Sequence, residues 1–427
     1  MSLPKQLLYA NKINASYARN YTSVLQPQNS SNYGLGQTAI FNIPCMSNTA
    51  LSGADTVFSF KLKIRNASGG AATAHLNRCG SAAVIQRLRL FHGSSLLCDI
   101  DNYSQLASLM TTHQQSRDDV RGKSQVLQGT NELRGDTIMD AVATATNVTR
   151  DFAFPLMSIL SMTDNYVPLW AMTGSSLRLE IQFVSAITKF VGASAALTNH
   201  TDGVNTLFSD CKLHANIVEM SDDAMQIIQS SLQGRPVEWV CQSYSNYVFN
   251  SNLGTGLTQL SVPVAAKYNS LKALYACVRR YSEGATDVFS DDSPSFALAE
   301  YSARIGAKVI PNEKPTTIPQ FLAEVERALG SVSNTLKPHS YTYAQIVSVA
   351  AADLAVSRAF MVGIELESYS NTDMSGKVYQ GLNTSTDDIF LNLSFAGQAG
   401  AIAVRVDTFA AYDQLISIDN GMVTVRF

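Results

Sequence analysis

Hydrophobic and polar residues alternate along much of the chain. In residues 58–65 (FSFKLKIR), the apolar side chains of Phe58, Phe60, Leu62 and Ile64 alternate with polar ones. The same period of two recurs in residues 177–183, 391–395, 402–406 and 423–427. This period places the apolar side chains on one face of a strand. The pattern predicts an all-β protein built mainly from antiparallel strands.

Three segments have the period of an amphipathic helix instead. The first begins at Tyr103, and its apolar stripe continues through residues 106–110. The second covers residues 321–329 and stands between a proline and a glycine, which commonly begin and end helices. The third follows Ser221, a good N-cap residue with two aspartates after it, and runs to Gly234. We predict that this third helix is a linker.

Similar segments recur about half a chain length apart. Matching positions are separated by 212, 212 and 213 residues in the pairs Phe183 and Phe395, Leu62 and Leu274, and Gly93 and Gly306. Both glycines stand between two strand-like segments that are followed by a predicted helix. Collinear matches at nearly constant separation indicate two copies of one β domain. Each copy offers about eight strands, for which a two-sheet jelly roll is the commonest arrangement.

The sequence therefore predicts two tandem eight-stranded jelly rolls with few short helices. The predicted divisions are an amino-terminal arm at 1–35, a first jelly roll at 36–220, a linker helix at 221–236 and a second jelly roll at 237–427. The arm is cationic because the first 54 residues contain no acidic residue. Its three basic residues are Lys5, Lys12 and Arg19.

Charge and composition narrow the function classes. Charged residues make up 15% of the 427-residue chain, whereas soluble domains usually carry about 25%. A surface low in charge indicates that much of it contacts other protein. The net charge of −3 excludes a globally basic nucleic-acid-binding protein. The start of the chain lacks the apolar segment of a signal peptide, so we expect that the protein is not secreted.

Residues with potential chemistry are scattered rather than clustered. The six histidines have no metal-ligand spacing, and the six cysteines form no CxxC motif, so we expect free, buried thiols in a reducing compartment. Four acidic pairs, at 118–119, 222–223, 291–292 and 387–388, fall in predicted loops or at a helix start. Solvated turns explain them better than calcium ligands or glycosidase carboxylates. We predict no enzyme, and no catalytic, cofactor-binding or metal-binding residues.

Two further features leave alternatives open. Jelly rolls commonly carry sugar sites, so a two-domain lectin or glycan-active protein is an alternative, although Trp170 and Trp239 lie in apolar stretches typical of a core or interface. Residues 113–147 form a long polar segment, predicted to be either a solvated loop or a receptor-binding loop.

Several segments resemble double jelly-roll major capsid proteins of the adenovirus and tailless-bacteriophage lineage, most closely those of polinton-like viruses and virophages. They are the opening ANKINASYARNY, the block IQRLRLFHGSSLLCDIDNYSQLASLM, and YNSLKALYACVRR at residues 268–280. The first contains two of the cationic arm residues. The second contains Gly93 and the dipeptide Asn102-Tyr103. The resemblance spans nearly the whole chain through diffuse motifs.

The resemblance implies a structural protein of a double-stranded DNA virus. In that family the barrels stand upright on an icosahedral capsid, and three chains form a pseudo-hexagonal homotrimer, the capsomer. Expected partners are therefore other copies, neighbouring capsomers, and penton or minor capsid proteins. Lys5, Lys12 and Arg19 would point inward, toward genome or inner membrane. The expected location is the virion, after assembly in the host cytoplasm or nucleus, and a minor capsid or vertex protein is a further alternative.

Overall fold

The computed structural model describes residues 18–66, 72–130, 139–142, 147–157, 166–193, 197–199, 207–281, 292–330, 339–341, 346, 359–368, 380–419 and 421–427. The strands among them are β1 (Ala18–Leu25), β2 (Thr38–Ile43), β3 (Thr49–Asn66), β4 (Ala72–Leu76), β5 (Ile85–His92), β6 (Ser95–Asp101), β7 (Met139–Val142), β8 (Asn147–Pro155), β9 (Leu177–Phe183), β10 (Val191–Ala193), β11 (Leu197–Asn199), β12 (Phe208–Met220), β13 (Val237–Leu253), β14 (Thr258–Val264), β15 (Leu271–Arg280), β16 (Leu298–Ile305), β17 (Lys308–Ile310), β18 (Val362–Glu365), β19 (Ile389–Phe395), β20 (Ile402–Asp419) and β21 (Met422–Arg426). The α-helices among them are α1 (Tyr103–Gln114), α2 (Arg117–Arg121), α3 (Lys123–Gln128), α4 (Asp222–Leu232) and α5 (Ile318–Ala328).

Besides a smaller third sheet of β10, β4 and β7, two main antiparallel sheets form the first half of the protein. One has the order β1-β12-β3 with β8 also paired to β3, and the other has the order β2-β9-β5-β6. The chain passes repeatedly from one sheet to the other, so neighbours in a sheet are rarely neighbours in sequence. This is the double Greek key of a jelly roll. We call strands β1–β12, with their connections, the first jelly roll.

Aromatic side chains fill the space between these two sheets. Phe58 and Phe60 stack at 5.5 Å between ring centroids, and Phe154 meets Phe58 edge to face at 6.0 Å. Phe183 from the opposite sheet stacks on Phe208 at 4.4 Å. These are the apolar positions of the alternating pattern, and burying them accounts for the period of two.

The second half repeats the strand orders of the two main sheets, without counterparts of β4, β7, β10 and β11 among the described residues and with β21 added beside β20. Its sheets have the orders β13-β20-β15-β18 and β14-β19-β16-β17, which match β1-β12-β3-β8 and β2-β9-β5-β6. We call strands β13–β21 the second jelly roll. The predicted all-β fold with two tandem jelly rolls is confirmed.

Strand register supports the duplication at the level of single residues. Phe183 lies opposite Ile85, and Phe395, 212 positions later, lies opposite Leu298. The hairpins β5–β6 and β16–β17 turn at Gly93 and Gly306, both with φ 56°. A left-handed φ favours glycine because it has no Cβ atom. The two glycines are therefore structural equivalents.

The helices lie where the apolar stripes predicted them. Helix α1 follows β6, α5 follows β17, and α4 connects the two jelly rolls. The Ser221 side chain accepts a hydrogen bond from the Ala224 backbone N–H at 3.3 Å, which caps α4. Most of α4 is exposed, and Met225 is its buried residue.

The prediction of a long loop at residues 113–147 is wrong for its first part. Residues 117–128 form α2 and α3, and the Ser116 hydroxyl caps α2 by accepting from the Asp119 N–H at 3.0 Å. Val120 is 1% exposed and anchors α2. Residues 131–138 and 143–146 of the predicted loop lie outside the described residues.

Candidate functional site at the junction of the two jelly rolls

Helix α1 is buried on every side. Tyr103, Leu106 and Met110 face the first jelly roll, as their helical spacing predicts. The polar side chains of Ser104, Gln105, Ser108, Thr111 and Thr112 are equally buried. A helix between one domain and water would expose these positions. Gln105 contacts Cys277 of the second jelly roll, and the Ser340 hydroxyl lies within hydrogen-bond distance of the Thr111 and Thr112 carbonyls, so α1 lies at the junction of the two halves.

The junction also contains β6 and the outward face of the β13-β20-β15 sheet. Side chains of the second jelly roll, including Tyr244, Tyr275, Cys277 and Phe409, belong to the same buried cluster as the core of the first. All four are at most 5% exposed. The core of the first jelly roll therefore continues into the junction, and the interior of the second jelly roll holds a separate buried cluster.

Hydrogen bonds join the two halves along β6 and α1. The Gln414 amide donates to the Leu97 carbonyl at 2.7 Å. Gln105 donates from Nε2 to the Cys277 sulfur at 3.3 Å. Near the end of α1, the Ser340 N–H donates to the Thr112 carbonyl at 3.1 Å. These bonds satisfy polar groups that the junction removes from water.

Asn102 occupies the start of α1 but directs its side chain across the junction. Its backbone is left-handed, with φ 50°, and its side chain makes no cap bond to the helix. The Oδ1 atom accepts from Gln86 at 3.0 Å, while Nδ2 donates to Asn246 at 3.0 Å and to Asp407 at 3.2 Å. One amide thus links a strand of the first jelly roll to two strands of the second.

Asp407 is a fully buried carboxylate at the centre of this junction, with 0% exposure. Its Oδ2 accepts from Arg279 Nε at 2.8 Å, and its Oδ1 accepts from Arg405 Nε at 2.9 Å. A buried carboxylate needs such charge-assisted partners to offset its lost hydration. Arg405 occupies a polar position of the alternating segment 402–406, and Asp407 continues that alternation, which is also the pattern of solvent-facing side chains.

The thiols at the junction are unreactive as nucleophiles. Burial raises the pKa of Cys277 to about 12, and the nearby Asp407 charge acts in the same direction. Burial also raises the pKa of Cys241. A thiol nucleophile requires the thiolate form, so these groups remain neutral at physiological pH. All six cysteines are free, and all except the half-buried Cys45 are buried.

Two histidine side chains are also buried in the interior. His92 and His113 are 5% and 1% exposed, and their Nε2 atoms lie 3.1 and 3.2 Å from the carbonyl oxygens of Met172 and Ala359. The described residues contain no group of three or more histidine, cysteine or acidic side chains placed to hold a metal ion. In the same part of the chain, no helix is long and apolar enough to span a membrane.

Helices α1 and α3 border a cleft of about 650 Å³. Its polar wall includes Gln114, Gln115, Asp119 and Lys123. The Asp119 carboxylate accepts a hydrogen bond from the Ser116 hydroxyl at 2.8 Å, which ties it to the cap of α2.

Of the predicted arm residues, the structure describes Arg19. It lies exposed on β1, opposite Glu219 of β12, and its guanidinium is 5.6 Å from the centre of the Tyr21 ring. Lys5 and Lys12 lie outside the described residues. Arg19 therefore lies away from the junction, and the junction residues Asn102, Asp407 and Arg279 were not predicted.

A sequence signal for the junction does exist. The segment VRVDTFAAY at 404–412 first alternates and then becomes continuously small or apolar. A strand buried on both faces has such a run. The charged residues inside it must therefore find partners in the protein interior.

Two jelly rolls whose main sheets have the same strand orders, joined by a buried junction, form a double jelly roll, the fold of several solved viral major capsid proteins. PBCV-1 VP54, in a crystal structure fitted into a reconstruction of the virophage Sputnik, aligns with a TM-score of 0.62 and 10% identity, over 98% of this chain and 99% of that chain. The Faustovirus major capsid protein aligns with a TM-score of 0.60 and 9% identity, over 97% and 92%.

The mavirus major capsid protein gives a TM-score of 0.56 and 12% identity, with 100% of this chain and 95% of that chain covered. No protein-family model matches the sequence, and the search of curated proteins gave no match. At these identities the likeness concerns the fold. The predicted resemblance to double jelly-roll capsid proteins of virophages and their relatives is confirmed at that level.

Proposed function

We propose that this protein is a viral major capsid protein with a structural, non-enzymatic role. The observation that carries the proposal is the full-length match of a duplicated jelly roll to capsid proteins of PBCV-1, Faustovirus and mavirus. Both barrels and the junction between them fall within that match. The low charged fraction of 15% supports the proposal, because uncharged surfaces pack against protein without the desolvation cost of ions.

In this proposal, three chains associate into a capsomer with a pseudo-hexagonal outline. Two similar domains per chain under threefold symmetry give six similar lateral faces, which suit tiling into a closed shell. The partners are then other copies, neighbouring capsomers, and penton or minor capsid proteins, and the location is the virion. The start of the predicted arm at 1–35, up to the first residues of β1, faces inward in this proposal, where Lys5, Lys12 and Arg19 contact genome or inner membrane.

Mass and shape test the proposal. Light scattering of the purified chain should give about three times the chain mass of 46.2 kDa, and negative-stain images should show pseudo-hexagonal particles. A protein that stays monomeric at high concentration and forms no shells would contradict the proposal. A glycan array distinguishes a capsid protein from the alternative of a lectin. A lectin would bind sugars on the array through a surface aromatic residue.

A further inference from the structure

Helix α4 packs on the protein through one stripe of side chains and leaves the opposite stripe exposed. Met225 is buried, and Ile228 and Leu232, one and two turns later, are half-buried. The opposite stripe also has helical spacing, and all of its members are exposed. We call it the outer face of α4, formed by Asp223, Gln226, Ile227 and Ser230.

The outer face combines an apolar side chain with an unpaired acidic one. Ile227 is 68% exposed, although solvent-facing positions of a surface helix favour polar residues. Asp223 stands one turn before it, on the same side of the helix. Within the described part of the chain, neither Asp223 nor the exposed Glu219 at the end of β12 forms a hydrogen bond or ion pair through its side chain. The surface therefore offers an apolar contact beside negative charge that no ion pair neutralises.

The amino-terminal arm joins the sheet at this same place. Ala18, the first residue of β1, lies opposite Met220 of β12. Only Ser221 separates Met220 from the first residue of α4. Residues 1–17, which lie outside the described residues, are therefore attached to the protein beside the acidic start of α4.

Residues 1–17 match the outer face in chemistry and in length. They contain Lys5 and Lys12 but no acidic residue, and Leu7 and Leu8 lie between the two lysines. Seventeen residues span at most about 56 Å when extended and about 25 Å as an α-helix, whereas the 11 residues of α4 cover about 16 Å. The segment is therefore long enough to cover α4 in either conformation.

We propose that residues 1–17 bind the outer face of α4 in the same chain. Leu7 and Leu8 contact Ile227, and the lysines on either side of them are attracted by the unpaired carboxylates. The proposal goes beyond the capsid function and does not depend on it. The lysines that contact genome or inner membrane in the proposed function are thus held, in the free chain, by acidic groups of the same protein.

Other occupants match the outer face less well. Helices that lie on a membrane surface usually carry lysine and arginine on their polar face, whereas α4 carries two aspartates and no basic residue. The same aspartates would repel the phosphates of a nucleic acid. Residues 1–17 supply the positive charge that both of these partners lack.

Photo-cross-linking tests the contact in the full-length chain. With p-benzoylphenylalanine in place of Ile227, irradiation should join this position to a peptide within residues 1–17. The control carries the same group at Leu257, which is 69% exposed. Leu257 follows the far end of the 17-residue strand β13, about 50 Å from α4. Cross-links to residues 1–17 from both positions, or from neither, would overturn the proposal.

A denaturing gel of the irradiated protein distinguishes the same chain from another copy. A cross-link within one chain leaves the mass at 46.2 kDa, whereas a cross-link between copies doubles it. We expect the cross-linked product at the mass of a single chain. A product of twice that mass that contains the 1–17 peptide would show that the arm of another copy binds α4, and the proposal would be wrong.

Exchanging the charges tests the ionic part of the contact. Glu219→Lys with Asp223→Lys should lower the yield of the cross-link from position 227 about threefold, because like charges then face each other. Adding Lys5→Glu and Lys12→Glu to this variant should restore the yield. If the yield stays low after the second exchange, attraction between arm and helix is not the cause and the proposal fails.

A matched control makes the same change of charge elsewhere. Glu313→Lys with Asp388→Lys alters two exposed positions of the second jelly roll. This variant should give the yield of the chain without charge changes. An equal loss in the control would mean that net charge, rather than the charge beside α4, governs the contact, and would contradict the proposal.

Hydrogen exchange gives a readout that needs no photoreactive group. In a chain that lacks residues 1–17, the amides of α4 should exchange at least about fivefold faster than in the full-length chain, while those of α5 stay unchanged. Unchanged exchange in α4 would overturn the inference and leave the capsid function intact. A chain that light scattering finds monomeric under all conditions would instead contradict the capsid function, and the contact within the chain would stand.

Discussion

Asn102 of the first jelly roll donates a hydrogen bond from Nδ2 to Oδ1 of Asp407 in the second, at 3.2 Å. The two residues are 305 positions apart in the chain. Asn102 also accepts from Gln86, which fixes which end of its amide faces the carboxylate. The left-handed backbone at φ 50° brings this side chain to the junction rather than to the helix end.

Two substitutions of Asn102 should distinguish the loss of its hydrogen bond to Asp407 from repulsion between two carboxylates. Asn102→Gly keeps the left-handed backbone and removes the amide, so we expect a loss of about 1–3 kcal/mol in the free energy of unfolding. Asn102→Asp places a second carboxylate beside Asp407 and should cost more than Asn102→Gly. Urea unfolding measures both, and an aspartate variant as stable as the glycine variant would disprove the repulsion.

Removing the buried carboxylate should be among the most costly single changes at the junction. Asp407→Ala leaves Arg279 and Arg405 without their shared partner, and breaking a buried ion pair typically costs about 3–5 kcal/mol. Asp388→Ala is the matched control, because its side chain is 77% exposed and pairs with Lys267 at the surface. Urea unfolding should show little change in the control. Similar losses in both variants would contradict the role assigned to Asp407.

The two hairpin glycines should respond alike to substitution. Gly93→Ala and Gly306→Ala each force a Cβ atom into a left-handed turn, which costs about 1–2 kcal/mol. The new Cβ would also lie 3.1 Å from Ser175 Oγ in one hairpin and 3.0 Å from Asp387 Oδ1 in the other. Thermal unfolding of Gly400→Ala serves as control, since no atom lies within 4 Å of that position. Unequal losses would show that the hairpins are not energetic equivalents.

Stability should fall as the solution becomes alkaline. Burial raises the pKa of Cys277 from 9.0 to about 12 in the folded state. The pKa of this thiol is therefore higher in the folded state than in the unfolded state. The stabilisation that the neutral thiol contributes is complete below the unfolded pKa near 9 and is lost as the pH rises toward 12. Between these two pH values, each thiol whose pKa is raised in this way lowers the free energy of unfolding by about 1.4 kcal/mol per pH unit.

Urea unfolding between pH 8 and pH 10.5 measures this loss. Cys277→Ala should flatten the decline, whereas Ser231→Ala, an exposed change on α4, should leave its slope unchanged. Equal slopes in the wild type and Cys277→Ala would refute the assignment of the slope to this thiol.

Charge reversal in the arm should affect particles rather than capsomers. With Lys5, Lys12 and Arg19 changed to glutamate, we expect intact trimers by light scattering and fewer closed or filled particles by electron microscopy. The contact of three cations with phosphate is electrostatic, so high salt should weaken it in the wild type. Reversal at the exposed Lys123 and Arg235 is the control, and a variant that fails to fold would mean that the arm belongs to the core.

The strands and helices that meet a core on one side were predictable from the sequence. Strands β3 and β9 alternate because one face of each packs between the sheets. Helix α1 was found from the spacing of Tyr103, Leu106 and Met110. Its opposite face, with Ser104 and Ser108, carried no signal of burial, because a polar helix face is also the pattern of a solvated surface.

The junction escaped prediction for a physical reason. Asp407 and Arg405 alternate with valines as solvent-facing residues do, and the apolar run that follows them does not specify which domain buries the second face of the strand. The helices at 117–128 escaped because their segment is mostly polar, and its apolar residues Val120, Val126 and Leu127 are too few to form a helical stripe. The Ser116-x-x-Asp119 spacing of a helix cap was the available signal.

The complete burial of α1 also has a consequence for biosynthesis. The carbonyl of Leu97 receives its hydrogen bond from Gln414, which is added to the chain 317 residues later. A nascent first jelly roll therefore leaves the ribosome with α1 and β6 uncovered. Cys277 reaches Gln105 of α1 172 residues later, and the Leu97 carbonyl of β6 stays in contact with water until nearly the whole polypeptide has been translated. Strand β20 is among the last strands to be synthesised, and it completes the burial of residues that belong to the first jelly roll.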